Sequence, residues 1–433
     1  MRRSNRSLLG VKYESQINKS RHNEHQRLRI LVFNYIGSTL HLYVIHIMKV
    51  TIYSGSIPTT VFIERLIKGL ANRGVIVSLY GPKRNGYRHF NHNIKVTGYS
   101  GKVGKLYILI KYFTLLLLFR PTYLWKLLRH YYKGEKTTGL NNFLVKAAPI
   151  IFHKPDVFHL QWAKALDDWM FLQDFGIKMV LSLRGAHINY SPVADAELAK
   201  MYCRNFPNVD AFHAVSEAIA VEAGKYGCPP VKTKVIYSGL DPEAFKFSHK
   251  IDHSTGNFRI ISIGRSHWIK GYSYSIDACK LLADKNFRFT YTIIGGISEE
   301  LQFQVHQLRL DDQVKLLPSL PFDDTMRMLA DSDVLLLPSL EEGIANVVLE
   351  AMAVGVPVIS TRCGGMEEAI EHNINGFLVD PRNPPQIAES VVRISQMEDT
   401  EKLNIIREAR TTIVQKFSRS QMIDGMIKLY KDT

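Results

Sequence analysis

The stretch that decides the fold is VLLLPSLEEGIANVVLEAMAVGVPVIST, residues 334–361. It opens with an apolar run, VLLLPS, and closes with a β-branched one, VPVIST. Between them lie a polar turn and the helix former VVLEAMA, which Gly355 and Pro357 terminate. Strand, loop, helix, strand is the unit of a parallel sheet, and strands apolar throughout are buried on both faces. The same reading applies along the chain. KVTIY (49–53), VIVSLY (75–80), VFHL (157–160), KMVLSL (178–183), AFHAVS (211–216) and KVIYS (234–238) form one series. FRIISIG (258–264), YTIIG (291–295), VKLLP (314–318), VLLLPS and VPVIST form a second. Helical stretches separate the runs, as in TTVFIERLIKGLANRG, with Thr59 or Thr60 at its start and Gly74 at its end.

The expected fold class is therefore α/β, with two doubly wound Rossmann-like domains in tandem. Their ligand crevices lie beyond the carboxyl ends of the strands. A length of 433 residues suits two such domains. The polar stretch 242–257 is the expected linker. Domain limits are set at 48–245 and 246–415, with residues 416–433 as a C-terminal helix. Residues 1–27 are basic and polar and are expected to be disordered. Residues 28–47 are apolar over a spanning length, but Arg29, Asn34, His41 and His46 are expensive in lipid. Residues 1–47 are accordingly an extension, disordered or anchor-like, and read as a leader in preference to a membrane anchor.

The charge of +15 is lopsided. Residues 1–216 hold 31 Lys and Arg against 11 Asp and Glu, the remainder 24 against 29. No acidic residue occurs from Arg65 to Gly134. Such a bias suits an anionic surface. No nucleic-acid-binding module accompanies it, so nucleic acid is not an expected partner. The four cysteines lack metal-ligand or redox spacing, and disulfide or metal chemistry is not expected from them.

Placed on this frame, Glu342 stands on a loop at a strand's carboxyl end and Glu350 inside the following helix. Gly343 permits close backbone approach, and the amides of Gly343, Ile344, Ala345, Asn346 and Val347 stand at a helix N-terminus suited to phosphate oxygens. A loop carboxylate suits sugar hydroxyls, and one on the helix suits a ribose.

The pattern E-G-x-x-N-V-x-L-E-A-M-A-x-G-x-P-V-I resembles the donor site of the family 4 (group 1) glycosyltransferases of GT-B fold. SIGRSHWIKGY (262–272), VIYSGLDPEAF (235–245) and HAVSEAI (213–219) are similar to further family segments, in the same order. The resemblance covers nearly all of 48–433, and FSRSQMIDGMIKLYKD resembles the helix that crosses back to the first domain. It implies retaining transfer from a nucleotide sugar, UDP- or GDP-linked, with no metal or other cofactor. Arg265 and Lys270 would grip the diphosphate, Glu350 the ribose and Glu342 the donor sugar, with Gly55 and Ser56 lining the cleft opposite. The family commonly carries a histidine followed by glycine in the first domain. Here SLRGAHINY puts Arg184 in that place and His187 three residues on, so either could act at the reacting centre. His159 is structural or cleft-lining. A catalytically weak nucleotide-sugar-binding partner is the alternative this departure leaves open.

The stretch 104–134 mixes leucine runs with Lys, Arg, Tyr and Trp. Its LLLLF segment reads as a buried helix of the first domain. The basic aromatic flank from Tyr123 to Lys133 fits docking to anionic lipid. A glycan or lipid-linked acceptor of cell-surface polysaccharide synthesis follows by analogy with exopolysaccharide and lipopolysaccharide enzymes. The expected location is cytoplasmic, peripheral to the inner face of the plasma membrane.

Overall fold

The computed structural model describes residues 29–36, 39–84, 87, 91–134, 139–245 and 256–433. The expected disorder of residues 1–27 and most of the expected linker, 246–255, lie outside them. Residues 1–47 and 48–433 form two units. In the first, β1 (Arg29–Ile36) and β2 (Thr39–His46) pair antiparallel, from Arg29 opposite His46 to Ile36 opposite Thr39. The described residues of the apolar run are thus two paired strands and not a helix. Among the described residues no helix is long and apolar enough to cross a membrane.

The second unit carries two parallel sheets. In the N-terminal half, β3 (Lys49–Tyr53), α1 (Val61–Asn72), β4 (Ile76–Pro82) and β5 (Ile94–Tyr99) come first. Three long helices follow: α2 (Gly101–Phe119), α3 (Pro121–Lys133) and α4 (Leu140–His153). Next are β6 (Val157–Leu160), β7 (Lys178–Leu183), α5 (Gly185–Asn189), α6 (Ser191–Ala194) and α7 (Ala196–Asn205). β8 (Ala211–Ala214), α8 (Glu217–Gly224) and β9 (Thr233–Val235) complete it. The strand order is β5-β4-β3-β6-β7-β8-β9, parallel throughout.

In the C-terminal half, β10 (Phe258–Ile263), α9 (Tyr272–Asp284), β11 (Phe289–Ile294), α10 (Glu299–Gln307) and β12 (Val314–Leu317) lead. Then come α11 (Phe322–Ala330), β13 (Val334–Leu337), α12 (Asn346–Val354), β14 (Val358–Thr361), α13 (Met366–Ala369) and β15 (Phe377–Val379). Its order is β12-β11-β10-β13-β14-β15, again parallel. Both sheets reverse direction beside their first strand, between β3 and β6 and between β10 and β13. Loops diverge at such switch points and leave a crevice.

The chain passes between the halves twice, at Leu240 and at Ser418, which form a parallel bridge beside an Arg419–Asp241 ion pair of 3.0 Å. After α14 (Pro384–Gln396) and α15 (Asp399–Lys416), α16 (Arg419–Asp432) returns to the first sheet. Its Met422, Ile423, Met426, Leu429 and Tyr430 join the core around Val50, Ile52 and Ile67. A reciprocal capping box between Ser418 and Gln421 fixes where α16 begins.

Burial corrects one expectation. In LLLLF, Leu116 is fully buried and Leu115 packs against the core, but Leu117, Leu118 and Phe119 are exposed. Only the stripe Ile108, Tyr112 and Leu116, spaced four residues apart, is buried on α2.

Candidate active site

The two switch points hold most of the residues singled out from the sequence. Beyond β10 runs the loop Gly264–Gly271, and beyond β13 the loop Pro338–Ala345. They are stitched together by Leu340 N–H donating to the Ile269 carbonyl at 2.7 Å. Lys270 Nζ lies 2.6 Å from Glu342 Oε1, which also accepts from Ser339 Oγ at 2.9 Å. Lys270 is therefore already ion-paired, which its sequence reading as a diphosphate grip did not include. Arg265 is exposed on the same loop.

Glu350 lies in α12 and is only 8% exposed. Gly355, at φ +96°, ends that helix in a left-handed conformation suited to glycine. The Glu350 carboxylate pairs with Arg65 Nη2 of α1 at 2.9 Å, across the two halves. Burial raises its pKa and Arg65 opposes that rise. The Arg65 guanidinium also sits 5.7 Å from the Phe322 ring centroid. A cavity of about 870 Å³ opens beside Arg65, between α1 and α11, with Phe322, Met326 and Val354 among its walls. Sequence reasoning missed Arg65. No spacing in the sequence signals it, because its partner lies 285 positions away.

On the first sheet, Gln161 follows β6 and Arg184 follows β7. Arg184 Nη2 donates to Gln161 Oε1 at 2.9 Å, and its guanidinium lies 4.6 Å from the Phe62 ring centroid. Burial pushes its pKa down to about 10. His187, on α5, packs its ring against Trp162 at 5.3 Å. Burial, with the Lys164, Arg265 and Arg184 charges, pushes His187 down to about 4, so the ring is neutral at pH 7. Trp162 Nε1 donates to the Ser54 carbonyl at 3.1 Å, which brings the Gly55–Ser56 loop to the same neighbourhood; Gly55 takes φ +85°. Among the described residues, Gln161 Nε2, Arg184 Nε, His187 Nδ1 and Asn346 Oδ1 are buried with no hydrogen-bond partner. Buried polar atoms are rarely left so, and a ligand's polar groups would satisfy them.

The halves meet at this place. A Cβ on Gly185 would lie 3.4 Å from Gly343 N, and one on Gly343 would lie 2.9 Å from Val215 Cγ2. Asn189 Nδ2 donates to Glu341 Oε1 at 2.7 Å. The Glu368 carboxylate accepts from the Glu217 and Ala218 amides at 2.9 and 3.0 Å, capping α8 from the other half. The amides of Ile344 to Val347 stand at the start of α12, where the N-cap Ala345 has no capping side chain and its own N–H donates to Met366 Sδ at 3.4 Å.

His159 lies away from the cleft. Its ring nitrogens contact Tyr430 Oη at 2.7 Å and Ser182 Oγ at 2.8 Å, and Ser182 Oγ lies 2.9 Å from His213 Nδ1. His213 Nε2 is 2.9 Å from the Ile236 carbonyl, which can only accept, so Nε2 carries the proton. Every donor follows from that: Ser182 to His213, His159 Nε2 to Ser182, Tyr430 to His159. His159 is structural.

Comparison with known proteins decides the family. Residues 59–244 match the Glycosyltransferase Family 4 description and residues 243–412 the glycosyl transferases group 1. The amylovoran biosynthesis glycosyltransferase AmsK of Erwinia amylovora is 30% identical over 306 residues, 67% of this chain and 74% of that protein. The chain belongs to the group 1 glycosyltransferases. The putative colanic acid biosynthesis glycosyltransferase WcaL of Escherichia coli is 31% identical over 226 residues, 50% of this chain. The aligned region spans about half, 55%, of WcaL. The crystal structure of HepE from Anabaena in complex with UDP superposes with a TM-score of 0.67 at 19% identity, covering 89% of this chain and all of that one. The fold of this glycosyltransferase is thus GT-B, two Rossmann-like domains facing across a cleft.

Proposed function

We propose that this glycosyltransferase moves a sugar from a UDP- or GDP-linked donor to a hydroxyl of a glycan or lipid-linked acceptor, with retention at the anomeric carbon and without a divalent metal. The observation that carries the reading is the Lys270–Glu342 pair, held where β10 and β13 diverge and facing the Gly185 loop of the other half. A nucleotide sugar laid there meets a cation, a carboxylate and the N-terminal amides of α12 together.

In this reading Glu350 receives the ribose hydroxyls, and the cavity walled by Phe322, Met326 and Val354 takes the base. Glu342 accepts from hydroxyls of the donor sugar and hands Lys270 to the departing diphosphate. Arg265 and the Ile344–Val347 amides share that charge. Preorganised donors aimed at developing negative charge supply most of such a rate enhancement. Retention means that the new bond forms on the face the diphosphate leaves. His187, neutral and with Nδ1 unpaired, faces the reacting sugar as an acceptor of its hydroxyl hydrogen bonds. Arg184 holds a buried positive charge for the diphosphate or an anionic acceptor. Contact between the two glycine loops excludes water that would hydrolyse the donor. HepE has been crystallised with UDP and UDP-glucose, and AmsK and WcaL are named for exopolysaccharide synthesis; both support a nucleotide-sugar donor and a cell-surface glycan product. In this reading the enzyme is cytoplasmic and peripheral to the inner face of the membrane.

The test is an incubation of the full chain with UDP- and GDP-sugars and a lipid-extract acceptor, read by diphosphate release and by the anomeric configuration of the product. Transfer with retention, unchanged by a chelator, is the expected result. An inverted product, or transfer that stops on chelation, would overturn the corresponding part of the reading.

A further inference from the structure

The α2 helix is an anomaly for a protein surrounded by water. Its sequence, GKVGKLYILIKYFTLLLLF, is apolar around the whole circumference, yet the protein buries only the Ile108, Tyr112 and Leu116 stripe. Leu106, Tyr107, Ile110, Leu117, Leu118 and Phe119 are all exposed, the last two by 67% and 69%. A helix apolar on every side is ordinarily buried on every side, by protein or by lipid. The next helix extends the patch, since Trp125 and Tyr132 of α3 are exposed as well. A contiguous apolar surface of this kind marks an interaction site.

Charge selects the partner. The exposed cations Lys102, Lys111, Lys126, Arg129 and Lys133 belong to the same two helices, and no acidic residue occurs from Arg65 to Gly134. The Arg129 guanidinium lies 5.1 Å from the Trp125 ring centroid and Lys126 Nζ lies 5.2 Å from that of Phe175, so both exposed cations sit directly over aromatic rings. Two helices that carry exposed leucine and aromatic side chains and cations, with no acidic residue of their own, match a bilayer with anionic headgroups. A second copy of the chain would bring the same cations against each other. At 19 residues with three lysines, α2 is not among helices able to cross a bilayer, and about 28 Å of it can lie flat in the interface.

We propose that the outer faces of α2 and α3 are a docking surface for an anionic lipid bilayer, with α2 in the interface plane and Leu117, Leu118 and Phe119 inserted. The surface uses no residue of the donor site, so its test is separate from that of the sugar-transfer reading. It would set the enzyme at the membrane that carries a lipid-linked acceptor.

The experiment is co-sedimentation of the full-length protein with vesicles of phosphatidylcholine alone and with about one third phosphatidylglycerol. Binding to the anionic vesicles at least about tenfold tighter, and weakened by salt, is expected. The pair Leu118→Asp with Phe119→Asp, at exposed positions, should abolish binding and leave the melting temperature unchanged. Lys126→Glu with Arg129→Glu should lower binding to anionic vesicles to the weak level seen with neutral ones, again without a change in melting temperature. A folded wild-type protein that stays in the supernatant would overturn the proposal. So would binding that survives both double substitutions, or a dimer that Leu118→Asp dissociates in the absence of any vesicle binding, which would make this face a self-association surface.

Discussion

Arg65 and Glu350, 285 positions apart in the chain, form an ion pair of 2.9 Å that joins helix α1 of one half to helix α12 of the other. Both side chains are largely withdrawn from solvent, at 18% and 11% exposure. Removing one partner strands the other. Arg65→Ala should lower stability by ~1–3 kcal/mol, and the double substitution with Glu350→Ala should cost less than the two single ones added together. Denaturant unfolding of the four proteins checks the coupling.

The Lys270–Glu342 pair leads to a prediction of opposite sign for binding and turnover. Glu342→Gln keeps the shape of the side chain but withdraws the charge that neutralises Lys270. Nucleoside diphosphate should bind at least as tightly as to the wild type, because Lys270 is freed. Transfer should fall by ~100-fold or more, as Glu342 no longer orients the sugar. Calorimetry and initial rates, run side by side, measure the split.

Gly343 approaches Val215 of the other half so closely that a methyl group would lie 2.9 Å from Cγ2. Gly343→Val should hold the halves apart. The expected outcome is a folded protein with a larger radius of gyration by X-ray scattering and at least ~10-fold less transfer. A variant as compact and active as the wild type would refute the role of this contact.

Acid should destabilise the fold through its buried imidazoles. Burial pushes His213 down to about 3 and lowers His159 well below its ordinary value, while His153 and His187 are each near 4. The unfolded chain takes up these protons near pH 6.5 and the folded one does not until far lower. Between those values unfolding binds protons, so stability falls as pH falls. The melting temperature should therefore drop steadily from pH 7 to pH 4.5. Tyr430→Phe removes the donor to His159 Nδ1 and should cost ~1–3 kcal/mol, loosening α16 from the first sheet.

Strands buried on both faces were legible because they are apolar throughout: the 49–53, 157–160 and 178–183 runs coincide with β3, β6 and β7. β5 escaped notice because it is an edge strand, IKVTGY, with Ile94 its one buried residue, and β15 because FLV is only three residues long. LLLLF misled because periodicity shows which faces are apolar and not what covers them. At the site, the loop and helix positions of Glu342 and Glu350 were legible from the strand-to-helix pattern. Their partners were not, since Arg65 and Lys270 reach them through topology rather than spacing. The resemblance to a family supplied roles, and the geometry added that both carboxylates already hold cations.

The central claim is that nucleoside diphosphate is held beside β10 and β13 with Glu350 on its ribose. Titration calorimetry of the full chain with UDP and with GDP, for wild type, Glu350→Ala and Glu342→Ala, tests it most directly. One of the two diphosphates should bind the wild type, Glu350→Ala should weaken it by about tenfold or more, and Glu342→Ala should leave it at least as tight. Affinity untouched by Glu350→Ala, or no binding of either diphosphate to the folded wild type, would contradict the account.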